Sequence, residues 1–338
     1  MENKKAMYPL VFIEEKVENT WGKDSWIVAD TGAQESVVQG GWLDNNSLAD
    51  LMEAYTERVV GEKVMSWYGR QFPVSVKISQ IQGRTPLWVH PDDEIAAQRY
   101  DALGKAKLWY VAHAVENARL CLGFKKEYNA SDLYLGCQDG KIADMLHKIT
   151  PQKGEAYLIE PGTVHAAQDV KLIEIQEAST LDFCIYNWGR EDESQPLMLE
   201  EALDFIDYGR SQVQASQSHA NILDGAPEHL AERDEFIINK LCVSDPMHIY
   251  TEEFESFILY VCAEGEVSIQ SHLEGNAKTE NLILQSGKAV LIPADMKDFF
   301  LVPRQRESIL LEVRISREEI NTYTGESVEE DEAAQLPS

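Results

Sequence analysis

The sequence predicts a mainly β protein containing two similar barrels or sandwiches, and two observations carry that expectation. Short runs alternating apolar and polar residues are separated by turn residues along most of the chain, the pattern of many half-buried strands. In addition, residues 286–303, SGKAVLIPADMKDFFLVP, repeat the layout of residues 151–168, PQKGEAYLIEPGTVHAAQ. Both carry a Gly-Lys or Gly-Glu pair, an apolar strand, a proline, a short loop and another strand, which makes a faint internal repeat. The first copy has His165 after its proline, whereas the second has Asp295 and Met296. One barrel keeping a polar site and one serving as structure is the economical reading.

Taken in order, residues 8–40 read as short strands and loops. Residues 46–59, NSLADLMEAYTERV, predict a helix capped by Asn46 or Ser47, with Leu48, Leu51, Met52, Tyr55 and Val59 at helical spacing. FPVSVKISQI alternates as a strand and leads into WVHPDDE, where Trp88 and His90 share one face. Pro91 and the acids Asp92, Asp93 and Glu94 then open a short helix. KLWYVAHA and residues 118–123 read as strands, and residues 129–148 as one or two helices around Gly136 and Gly140. EAYLIE, TVHAA, VKLIEIQEAS and LDFCIYNW return to β. LEEALDFIDY and residues 227–233 read as short helices leading to a second β-rich unit. The implied organisation is an N-terminal domain over 1–195 with helical insertions, a helical connection over 196–235, a second barrel over 236–316 and a frayed tail over 317–338.

A chain of 338 residues is long enough for two domains, and its 44% hydrophobic and 26% charged content is that of an ordinary globular protein. The net charge of −28 is not ordinary. It argues against nucleic acid or an anionic membrane surface as partner, and leaves an anionic small substrate open because a local basic pocket outweighs the overall field at short range. Seven acids against one arginine in residues 317–338 supply part of the excess. Five cysteines without CxxC spacing fit a reducing compartment. Without a signal-peptide core or an apolar run of about 20 residues, a cytoplasmic location is expected. The oligomeric state is not legible.

His90 and His165 lie where neighbouring strands bring them together, and imidazole is a preferred ligand for zinc, iron or copper. They are either hydrogen-bonded barrel histidines or the remnant of a metal site; with a carboxylate such as Glu174 they form a 2-His-1-carboxylate set. Asp92, Asp93 and Glu94 fit a structural role at a helix start. Cys184 reads as a small buried residue, and His113, His147, His219, His229, His248 and His272 show no ligand spacing.

The order VHPDDE, GKxxLWY, PGTVHA, LIEIQ and YNWGR, followed by QPLxLEEALDFID, resembles the class I mannose-6-phosphate isomerases over roughly residues 9–315. The resemblance implies a cupin fold: two jelly-roll barrels (double-stranded β-helices) with a helical insertion. It also implies interconversion of mannose 6-phosphate and fructose 6-phosphate on one zinc. The family holds zinc with Gln and His of QxHPDD, Glu of GKxE and His of PxGTxHA. Here His90 and His165 match the histidines, but Trp88 stands at the glutamine position and Lys107 at the glutamate position. An indole N–H has no lone pair for a metal, and an ammonium competes with one. Cys184 stands where the family has an arginine six residues before the one matching Arg190. Lys105 matches the GKxE lysine, and Glu174 and Gln176 match EIQ.

These departures imply an incomplete zinc shell and weak or absent isomerase activity. Lys105, Arg190 and Glu174 are the catalytic candidates; Trp88, Lys107 and Gln176 are the substrate-pocket candidates. Lys107 is either a solvated strand-end lysine or a surrogate cation with a depressed pKa, and Trp88 either core filler or a sugar-stacking platform. The alternatives to an isomerase are a non-catalytic sugar or sugar-phosphate binding or regulatory protein, and another cupin enzyme with a remodelled metal set.

Overall fold

The structure, a computed structural model, describes residues 5–192, 194–216, 227–251, 255–272 and 279–315. The acidic tail expected over 317–338 and residues 217–226 of the expected connection lie outside the described residues.

The chain opens with a hairpin, β1 (Glu15–Asn19) and β2 (Gly22–Val28), closed by Gly22 at φ 145°; a Cβ there would lie 2.2 Å from the carbonyl oxygen of Gln80. Helix α1 (Leu48–Val60) starts at Ser47, whose side chain accepts the Asp50 N–H while Asp50 accepts the Ser47 N–H, a reciprocal capping box. Its Leu48, Leu51, Met52 and Val59 are buried, and α2 (Glu62–Tyr68) follows at Gly61.

The first barrel continues with β3 (Val74–Ile81), β4 (Leu87–Val89), α3 (Asp93–Tyr100), β5 (Lys107–Phe124), α4 (Ala130–Gln138), β6 (Leu146–Ile149), β7 (Ala156–Ile159), β8 (His165–Glu177) and β9 (Phe183–Tyr186). One antiparallel path runs β1-β2-β3-β8-β4-β9, and β5 pairs with β6, β7 and β8. After the single-turn α5 (Leu199–Ala202), the second unit contains β10 (Glu228–Arg233), β11 (Phe236–Val243), β12 (Met247–Tyr250), β13 (Ile258–Glu264), β14 (Glu266–His272), β15 (Thr279–Gln285), β16 (Ala289–Ile292), β17 (Asp298–Pro303) and β18 (Ser308–Arg314). They form two antiparallel sheets, β10-β11-β18-β13-β16 and β12-β17-β14-β15. The expectation of a mainly β chain holds.

Three helical expectations are corrected. Residues 227–233 contain strand β10, not a helix: they pair with β11, and Leu230 and Ala231 enter the core, so sheet pairing overrides the proline-and-acid start signal. The helix expected over 199–208 lasts one turn, and the end of the segment 129–148 is strand β6. KLWYVAHA and residues 118–123 belong to the one long, bulged β5.

A single apolar cluster crosses between the two barrels. It joins Leu10, Leu48, Val59, Val76 and Ile175 of the first half to Phe257, Leu259 and Leu291 of the second. Leu10 exchanges backbone hydrogen bonds with Leu291 (2.8 and 2.9 Å), and the Phe72 and Phe257 rings lie 4.8 Å apart.

One backbone feature positions the site. In β8, Ala167, Val170 and Leu172 share one buried cluster despite their mixed parity. Asp169 between them has φ 52°, and its carboxylate accepts the Gly83 N–H. This left-handed residue reverses the alternation of side chains, so His165 and Glu174, which a regular strand would send to opposite faces, line the same cavity.

Candidate ligand site in the first barrel

The inward faces of β2, β3, β5 and β8, with β4 and the loop before β9, enclose a cavity of about 310 Å³. Four tryptophans line it: Trp21, Trp26, Trp88 and Trp109. Trp88 meets Trp21 edge-on at 6.2 Å, and Trp109 meets His165 at 5.4 Å. Such faces suit the apolar side of a sugar ring.

The two sequence-singled histidines meet at one end. The turn of PGTVHA is what ties them: Gly162, at φ 80°, donates its N–H to the His90 carbonyl at 2.8 Å. His90 Nδ1 lies 2.9 Å from the Leu181 carbonyl, and His165 Nδ1 lies 2.8 Å from the Thr163 carbonyl. Carbonyl oxygens only accept, so both Nδ1 atoms carry the proton and both Nε2 atoms present lone pairs. These Nε2 atoms face one another at 3.1 Å. Burial first, and the Lys107 ammonium second, push His90 well below the ordinary histidine range and His165 down to about 3. Both rings are neutral at pH 7.

Around them three lysines balance three carboxylates. Glu174 accepts a 2.6 Å hydrogen bond from Ser79 Oγ and lies 3.5 Å from Lys77 Nζ and 3.7 Å from Lys107 Nζ. Lys77 is also 3.7 Å from Asp24 and its Nζ is 5.3 Å from the Trp26 ring centre. Lys105 donates to Asp182 Oδ1 at 2.7 Å, and the same oxygen is 3.3 Å from His90 Nδ1. Burial alone would raise Glu174, but Lys77 and Lys107 outweigh it and hold the carboxyl at about 2. Burial likewise opposes ionisation of Asp182, and Lys105 then Lys107 overcome it and lower its pKa. For Lys107 burial wins over the attraction of Glu174 and Asp182, so its pKa falls to about 8. Lys77, with two carboxylates beside it, is raised instead.

The fold thus lines one cavity with His165, Trp88, Lys107 and Glu174, and His90 stands outside that lining, against His165. Lys107 is only 4% exposed, so the solvated strand-end reading is corrected. Lys105 is buried behind the rim and reaches the site through Asp182. Gln176 lies outside the cavity lining, donating to Ser75 Oγ at 3.3 Å, and does not contact the ligand space. Arg190 also points elsewhere: its Nη2 donates to the Arg84 carbonyl at 2.8 Å and its Nε to that of Asn187 at 3.3 Å, bracing the YNWGR turn. Cys184 is buried opposite Trp88, its thiol pushed up to about 11 by burial. Asp92 caps α3 by accepting the Ile95 N–H, and Asp93 accepts that of Gly104. Lys77, Asp24 and Asp182 were missed. A signal for Lys77 existed: VSVKISQI places Ser75, Lys77 and Ser79 on one strand face, and both faces of that strand are buried.

Zinc, which the resemblance implies, can be tested against these donors. Two imidazole lone pairs converge, but a catalytic zinc takes about three protein ligands. Among the described residues no third His, Cys, Asp or Glu donor groups with them, so the set His90, His165 and Glu174 is not formed. Glu174 is committed to two lysines and a serine, Trp88 has no lone pair, and Lys107 brings a positive charge. These residues do not fit a zinc centre. Among the described residues, the one group with three donors within 4.8 Å, Asp93, Glu177 and Glu235, is held by other partners: the N–H groups of Gly104 and Ala106, and Arg233.

No protein-family model matches the chain. Among curated proteins it is similar to mannose-6-phosphate isomerase ManA of Bacillus subtilis, 25% identical over 251 residues, which are 72% of this chain and 76% of that one. YvyI of the same organism, a proposed mannose-6-phosphate isomerase, is 26% identical over 173 residues, 51% of this chain and 53% of YvyI. The chain therefore spans about half the length of that relative. The solved structure of the mannose 6-phosphate isomerase from Bacillus subtilis superposes with a TM-score of 0.75 at 20% identity, covering 91% of this chain and 100% of that one. No helix among the described residues is long and apolar enough to cross a membrane. The sequence similarity and the two-barrel superposition agree: the chain resembles the mannose-6-phosphate isomerases in sequence and shares their cupin-type fold.

Proposed function

We propose that this chain binds a sugar phosphate, of the mannose 6-phosphate class, in the first barrel without zinc, and that its isomerase activity is weak or absent. The observation that carries this reading is the Lys107 ammonium, buried beside the histidine pair at the position where the family carries a metal-ligating carboxylate. Aldose–ketose isomerisation needs a base near C1 and C2 and an electrophile that stabilises the developing enolate oxygen. Glu174, held at about 2, is a weak base. Lys107 is a single charge in place of a divalent ion, and losing one preorganised electrostatic donor typically lowers a rate on the order of a hundredfold. What remains suits recognition: tryptophan faces for the ring and Lys107 for an anionic or hydroxyl oxygen.

Calorimetric titration of mannose 6-phosphate into chelator-treated protein, run beside a coupled isomerase assay with and without zinc, tests the reading. Saturable chelator-resistant binding with little turnover is expected. Robust turnover abolished by chelator would overturn it, and turnover indifferent to zinc would make Lys107 the electrophile of a working isomerase.

A further inference from the structure

The same barrel carries a second, basic recess on its outer face. Strand β5 sends Leu120 and Leu122 inward, so Arg119 and Cys121 face outward, opposite Gln168 and Ala166 of β8. Lys148 joins them from β6, paired with Cys121, and Arg84 from its bridge to Gln168. Together they line a hollow of about 270 Å³ that contains no carboxylate. In a chain of net charge −28, three cations converge here, and among the described residues none of them has a carboxylate within 4.0 Å. Like charges gathered without a counter-charge repel, and an anionic ligand removes that penalty.

The recess is built, not merely charged. The Arg84 guanidinium carbon sits 3.1 Å over the Trp188 ring centre, and its Nη2 donates to Cys121 Sγ at 3.6 Å. Trp188 is fixed in turn by its own indole N–H, which donates to the Thr85 carbonyl at 2.6 Å, and Arg190 holds the Arg84 carbonyl. An arginine immobilised by stacking loses little further freedom when its fork meets an oxyanion. Arg119 is half-buried and Lys148 exposed, so the ligand enters from solvent.

We infer that this recess is an anion site, separate from the barrel cavity, for a compact tetrahedral dianion: phosphate or the phosphate group of a monoester. Its floor residue Ala166 is the neighbour of His165, so an occupied recess lies one strand thickness from the histidine pair.

The test is calorimetric titration of inorganic phosphate into the full chain at low ionic strength, with mannose 6-phosphate as a second arm that separates free phosphate from an ester. The variants are Arg119→Gln with Lys148→Gln, which leave the Arg84–Trp188 stack intact, and Lys107→Met in the barrel cavity. Saturable phosphate binding that weakens at least about tenfold in the Arg119/Lys148 variant and persists in Lys107→Met is expected. Absence of phosphate binding in the parent, or its loss in Lys107→Met alone, would overturn the inference. A thermal transition matching the parent's establishes that the double variant is folded. Should it not be, Lys148→Glu, at an exposed position, must weaken phosphate binding on its own.

Discussion

Replacing Lys107 by methionine separates what this lysine does for the ligand from what it does to the fold. Burial lowers its pKa from 10.5 to about 8, against the attraction of Glu174 and Asp182. Holding it charged at pH 7 therefore costs about 3 kcal/mol relative to the unfolded chain. Between pH 8 and 10.5 the unfolded chain binds a proton there that the folded chain does not, so the parent's stability rises with pH across that window. Methionine has similar bulk and no charge, and Glu174 keeps Lys77 and Ser79 as partners. Lys107→Met is expected to be more stable than the parent below pH 8, by up to about 3 kcal/mol, with the difference closing by pH 10.5. It is also expected to lose sugar-phosphate binding. Guanidinium unfolding at pH 7 and pH 10, with calorimetric titration, reads both. A variant clearly less stable than the parent at pH 7, with binding intact, would refute the assignment of Lys107 as a strained ligand cation.

Three other outcomes follow from the same geometry. Sugar-phosphate affinity should fall as pH rises through about 8, because Lys107 loses its charge there while the phosphate remains dianionic; titrations from pH 7 to 9.5 measure it. Trp88→Gln combined with Lys107→Glu restores the family's donor types. It should yield a protein destabilised by adjacent carboxylates when free of metal and rescued by zinc, with zinc retained on dialysis and isomerase activity appearing with it. Gly162→Ala places a Cβ 2.8 Å from the Phe205 carbonyl at φ 80°. It should cost on the order of 1–3 kcal/mol in chemical denaturation and loosen the link between the two histidine loops.

The strands and α1 were legible because their signals are local: period-two alternation, and a serine three residues before an aspartate. The meeting of His90 and His165 was also legible, from two motifs that each end a strand at a turn. Glu174 was singled out by its match to EIQ and not by strand periodicity, since its place in the cavity of His165 depends on the left-handed Asp169, an aspartate that looks like any other in sequence. Asp182 escaped notice because it is a loop carboxylate whose role exists only once Lys105, 77 positions away, is buried beside it. Gln176 and Arg190 lie outside the cavity lining for the opposite reason: matching a family motif fixes a residue's place on a strand or turn but not the partner that captures its side chain. Lys107 pointing inward could not be read, because an isolated lysine at a strand start carries no facing information.

The backbone pairing of Leu10 with Leu291 has a consequence for biosynthesis. The two residues are about 280 positions apart, and synthesis at about 5–20 residues per second separates their emergence by tens of seconds. Through that interval Leu10 and Phe12, both buried in the finished molecule, have no β16 to cover them. A nascent chain stalled or truncated after the first barrel therefore presents a sticky edge, and is a natural client of holdase chaperones during that pause.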